Sequence, residues 1–129
     1  MRSRSIVGVF LLVGLFGVAL LANGESVRRT AIVNFQDPVL VAGQFVMGPV
    51  LIVHDELKMS RGEPCTTFYR FVPGQGAREE LASFHCRPAA RHVEETTKLT
   101  VTEYSPAGCR RLIEYQFVAD SEGHGVPEK

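Results

Sequence analysis

Tryptophan is absent from this chain of 129 residues, and all aromatics together make up 9% of it. That removes the usual platform for stacking a sugar ring. Charge of one sign is lacking too. Fourteen basic residues face fourteen acidic ones, so no basic stripe marks a nucleic-acid partner. The familiar chemical signatures are missing. There is no C-x-x-C, no C-x-x-C-H for covalent haem, no H-E-x-x-H and no G-x-S-x-G. No internal repeat, low-complexity stretch or convincing amphipathic helix is visible. Metalloprotease, c-type cytochrome and α/β-hydrolase chemistry are set aside on these grounds.

What is present begins with a leader. Met1 to Ser5 carry two arginines, Ile6 to Ala22 hold no charge, and Ala22-Asn23-Gly24 has small residues at its first and third positions. A basic start, an apolar stretch and an A-x-A-like end are the parts of a secretory signal peptide. The apolar stretch, about 17 residues, is at the short end of the ~17–25 that cross a bilayer. An uncleaved anchor is therefore the rival reading, and the only route to a membrane. The expectation is a signal helix over residues 1–24 and a single secreted or periplasmic domain over residues 25–129, in a compartment that favours disulfides.

That domain reads as strands almost throughout. Thr30–Phe35, Val39–Ala42, Phe45–Met47 and Val50–Val53 are β-branched or apolar runs, punctuated by Asp37-Pro38, Gly43-Gln44 and Gly48-Pro49. His54 to Gly62 is polar, a loop with room for one helical turn at Glu56 to Ser60. Cys65–Val72 and Glu80–Cys86 alternate about the turn Pro73-Gly-Gln-Gly76. Arg87 to Arg91 is a connection. Thr96–Tyr104 and Arg111–Val118 alternate about Ser105-Pro-Ala-Gly108, with Ile113, Tyr115 and Phe117 on the buried face. Residues from about 120 onward read as a loose tail. About seven strands with regular turns predict an all-β fold, a small antiparallel β-sandwich or barrel.

Three cysteines, Cys65, Cys86 and Cys109, leave one over. Centring the hairpin between Gln75 and Gly76 sets Phe71 against Glu80, Tyr69 against Ala82, Thr67 against Phe84 and Cys65 against Cys86. Opposed residues of an antiparallel pair are close enough for a disulfide. A bond closing a loop of about 22 residues is worth roughly 3 kcal/mol on the chain-entropy model. A bulge would break this register. Cys109, just after a turn, is left as a spectator thiol or an alternative partner.

Chemistry-bearing residues are few. Copper accepts imidazole and thioether ligands, which makes His54, Met47 and Met59 the candidate metal set for copper or zinc, with Asp55 and Glu56 nearby. The bland alternative is a hydrogen-bonded strand end at His54-Asp55-Glu56. His85 precedes Cys86, but strand neighbours point to opposite faces, so the pair is no nucleophilic dyad. His92 and His124 fall in loops and carry no special expectation. No catalytic residue and no cofactor is implied by any motif.

The strings V-A-G-Q-F-V-M-G-P-V-L-I-V-H-D (41–55), G-E-P-C (62–65), S-F-H-C-R-P (83–88) and E-G-H-G-V-P (122–127) resemble small exported bacterial β-sandwich proteins of unknown function. The resemblance spans most of residues 30–127. It implies a β-sandwich and transfers no functional residue. The leading expectation is an exported, non-enzymatic domain, binding or structural at the cell envelope, with an envelope protein or small ligand as partner. A periplasmic copper- or zinc-binding domain is the alternative.

Overall fold

A computed structural model describes residues 28–104 and 108–129. The expected leader and the centre of the turn at Pro106 lie outside those residues. The expected strand-rich fold is present. Eight strands and one short helix follow in order: β1 (Arg28–Val41), β2 (Gln44–Asp55), α1 (Glu56–Ser60), β3 (Thr66–Val72), β4 (Gly76–Phe84), β5 (Arg87–Ala90), β6 (Lys98–Tyr104), β7 (Cys109–Gln116) and β8 (Glu122–Gly125). All belong to one curled sheet, a half-barrel in the order β4-β3-β2-β1-β7-β8-β5, with β6 on the other side of β7. The sheet is mixed where pure antiparallel pairing was expected. β1 and β7 run parallel, Val39 beside Arg110 and Leu40 beside Arg111. The long excursion through β2 to β6 supplies the crossover that parallel neighbours require.

The first two strands are longer than their punctuation suggests. Asp37-Pro38 does not end β1. It is absorbed in an irregularity between Phe35 and Val39 while pairing with β2 continues on both sides. Gly48-Pro49 lies inside β2, and Pro49 pairs with Asn34. The pairing of β3 with β2 starts only at Val50, so Pro49 sits where one flank of β2 is unladdered, a place that tolerates a missing N–H. Ala42 and Gly43 close the β1–β2 hairpin, both with positive φ, as a two-residue turn of that twist demands.

Alternate residues of these strands form the core. Val41, Val46, Val50, Ile52, Phe68, Leu112 and Tyr115 are sealed from solvent. On β7 it is Leu112, not the expected Ile113, that is buried, because β6 and β7 slip register between Thr100 and Val101. Two further expectations are corrected. Arg87 to Ala90 is a strand rather than a connection, and the tail is not loose: β8 is wedged between β5 and β7.

Candidate metal centre

The site is assembled where the end of β2 meets β8. β2 carries His54 onto the core face, with Arg29 of β1 and Thr66 of β3 as its cross-strand neighbours. Asp55 then stops the strand and caps α1, accepting from the Leu57 and Lys58 amides at 2.9 and 3.4 Å. The Asp55 amide donates to the Cys65 carbonyl at 2.8 Å. The nine residues between are thereby looped out, and Cys65 returns beside His54. Glu56, first residue of α1, is left with a carboxylate oxygen 3.5 Å from His54 Nδ1.

Cys86 arrives by a route the hairpin geometry did not foresee. Thr66 pairs with Phe84, Thr67 with Ser83, Phe68 with Ala82 and Tyr69 with Glu80, with irregularities on both sides of Tyr69. The expected register, Thr67 opposite Phe84, is therefore off by one. The cause is an earlier turn, Val72 against Gly76, whose shift the irregularities around Tyr69 only partly make up. β4 ends at Phe84, and Cys86 meets Cys65 just outside the ladder. Its amide donates to Cys65 Sγ at 3.3 Å, and the two sulfurs lie 2.9 Å apart. The expected Cys65–Cys86 pair does meet, with no bond joining the sulfurs at this separation. A bond would need about 2.05 Å.

His124 stands beside these residues. β8 pairs it with Tyr115 on one side and Pro88 on the other. Its ring stacks on Tyr115 at 4.9 Å, meets Phe117 edge-on at 5.7 Å and lies 4.3 Å from the His54 ring. Nδ1 of His124 is 3.7 Å from Cys86 Sγ, and Nε2 is 3.3 Å from Asp120 Oδ2. Tyr115 is pinned in turn by a hydroxyl contact with Thr66. The ligating atoms of His54, Cys65 and Cys86 all lie within 4.8 Å of one another.

Two imidazoles and two thiols thus converge, each at least nine-tenths buried. Each imidazole has one nitrogen near a carboxylate and the other turned inward. The inward nitrogen of His54, Nε2, has no hydrogen-bond partner among the described residues. Burial, helped by the neighbouring His124, lowers the His54 pKa to about 4. The ring is neutral near pH 7 and offers a lone pair. Burial, and next the hydrogen bond with Cys65, pushes the Cys86 thiol up to about 12; a cation would reverse that preference by stabilising the thiolate. Tyr115 is also pushed up, mainly by burial, and stays a neutral hydroxyl. A cleft of about 250 Å³ opens above the two histidines, walled by Arg29, Glu56, Asp120 and Glu122. It offers an approach in which acids outnumber the one arginine.

Of the residues singled out from the sequence, His54, Cys65 and Cys86 come together, and Met47 stands apart from them. Met47 is 54% exposed and lies seven residues from His54 along β2, roughly 23 Å at about 3.3 Å per residue. Met59 is partly buried and packs against the core cluster to which Cys65 and Cys86 belong. His85 is exposed while Cys86 is buried, so the two side chains lie apart although both follow the end of β4. Cys109 opens β7 and faces the Pro38 carbonyl at 3.6 Å. It borders a larger groove of about 650 Å³ that gathers no ligand cluster among the described residues. His124 and Asp120 were missed because a four-residue strand leaves no readable period. The signal that marks them is the pair of glycines flanking His124. Gly125 has no room for a side chain, since a Cβ there would stand 3.2 Å from the Arg87 carbonyl oxygen. No protein-family model, curated protein or solved structure matches the chain.

Proposed function

We propose that this chain is an exported, non-enzymatic β domain built around a bound transition-metal ion, held by Cys65, Cys86, His54 and His124. The observation that carries the reading is the buried, unpartnered Nε2 of His54, on an imidazole grouped within 4.8 Å with two thiol sulfurs. A buried polar atom without a partner costs about 1–3 kcal/mol, and a metal ion repays that cost. The flanking carboxylates agree with this. Metal-binding histidines regularly give their other ring nitrogen to a carboxylate, which fixes the ring and raises its basicity. Glu56 and Asp120 stand in those two places.

Two thiolates and two neutral imidazoles suit zinc first, as a tetrahedral S₂N₂ set. Four protein donors leave no open position for substrate, so the ion's part is structural. It ties β8 to the β2–β3 end of the sheet. In this reading the two halves of the curled sheet act as the layers of a small sandwich, clamped at one end. The leader would deliver the domain to the periplasm or exterior. The expected envelope partner has one surface in its favour: Ile32, Phe45 and Met47 are each more than half exposed, opposite the core face of β1 and β2.

Titration of the reduced full-length chain with Zn²⁺ and Co²⁺ tests the reading. The expected result is one ion per chain, with cobalt giving the intense visible bands and sulfur charge transfer of a tetrahedral thiolate site. Binding that survives replacement of His124 and Cys86 by Ala would refute it.

A further inference from the structure

We infer that Cys65 and Cys86 form a redox gate on this centre: the two sulfurs either share a metal ion as thiolates or bond to each other, and each state excludes the other. This rests on the metal-centre reading above. The sulfurs stand 2.9 Å apart, between the two alternatives. Tetrahedral Zn–S bonds of about 2.3 Å place thiolate sulfurs roughly 3.8 Å apart, and a disulfide closes them to about 2.05 Å. From the observed spacing each sulfur moves only about 0.4–0.5 Å in either direction, a shift within reach of side-chain rotation in a site whose backbone stays put.

The backbone around the pair is held from both sides. The Cys65 carbonyl accepts from Asp55, and the Cys86 amide donates to Cys65 Sγ. Cys86 is the more accessible of the two, 8% against 3% exposed. Cys86 is therefore the sulfur that a small disulfide oxidant meets first. Cys86, in the thiolate form it takes when it shares the ion, attacks the oxidant, whose S–S bond breaks and releases one thiolate. Cys65 then attacks the Cys86 sulfur, the Cys65–Cys86 bond forms, and the second thiolate leaves. Two electrons pass to the oxidant, and the negative charge of the two protein thiolates leaves on its two released thiolates, so the ion departs as a dication. The histidines remain, but two imidazoles are half of the donor set, so the ion is lost.

The experiment uses the full-length chain carrying Cys109→Ser, which leaves only this pair, loaded with one zinc ion and exposed to dipyridyl disulfide. The expected result is release of the zinc to a chromophoric chelator together with loss of both thiols. The mass should show no reagent adduct, and the far-UV spectrum should be unchanged. The oxidised chain should bind zinc at least ~100-fold more weakly, beyond the 10–100-fold that removal of an outer hydrogen-bond partner costs. Dithiothreitol should restore full affinity. Three results overturn the gate alone: a linked chain that binds zinc as tightly as before, stable reagent adducts on the cysteines in place of the link, or unfolding on oxidation. A reduced chain that takes up no zinc overturns the metal-centre reading and the gate with it.

Discussion

His54 bears the cost of the site before any ion arrives. Its ring is 1% exposed and one nitrogen has no partner among the described residues. Replacing both ring nitrogens by apolar atoms removes that cost, whereas a structural histidine would be missed. The metal-free His54→Leu protein should therefore melt no lower than the metal-free parent, while zinc no longer raises its melting temperature. Differential scanning calorimetry with and without zinc checks both halves, and a metal-free Tm several degrees below the parent would count against the orphaned nitrogen. Glu56 gives a finer test. Its side chain is half exposed, so Glu56→Gln should leave stability within about 0.5 kcal/mol, as for most surface changes. Zinc affinity, measured by chelator competition, should fall about 10-fold. His54 and Glu56 were both visible in the sequence as a polar cluster ending an apolar run. Which partners His54 would meet was not, because His124 lies seventy residues downstream and no local pattern encodes that approach.

The elements divide sharply in how well their sequences announce them. β3, β6 and β7 alternate plainly, and the helical turn at Glu56–Ser60 follows from Asp55 ahead of it. Bulges and breaks are harder to tell apart. Asp37-Pro38 and Gly48-Pro49 carry turn residues, yet β1 and β2 run through both because their partner strands continue beyond them. One slipped position in the β3–β4 hairpin defeats a register count, though the contact between Cys65 and Cys86 survives it. Two substitutions probe the elements that carry ligands. Asp55→Ala removes the cap of α1 and should cost about 1 kcal/mol, read by chemical denaturation. Gly125→Val presses a side chain against the Arg87 carbonyl and should cost about 1–3 kcal/mol, as overpacking does. Because β8 carries His124, the Gly125 change should weaken zinc binding as well, whereas the same substitution at Gly74, at the hairpin tip with open space around it, should affect stability alone.

Across the whole molecule, the four donors come from the end of β2, the residue just before β3, the segment after β4 and the middle of β8. An ion there joins the far ends of a sheet that curls without closing. Ligand binding to the native state alone raises stability with concentration, by about 2.7 kcal/mol when free ligand is 100 times Kd. The melting temperature of the reduced chain should climb with zinc and return on chelation. An all-β fold of about seven strands was legible in the spacing of strands and turns. Its single curled sheet was not, since the parallel contact of β1 with β7 joins segments some seventy residues apart. The central claim is that two sulfurs and two imidazole nitrogens meet at one ion. X-ray absorption at the zinc edge of the loaded full-length chain measures that directly. The account requires two sulfur neighbours at about 2.3 Å and two nitrogens at about 2.0 Å; a shell of oxygen and nitrogen with no sulfur would contradict it.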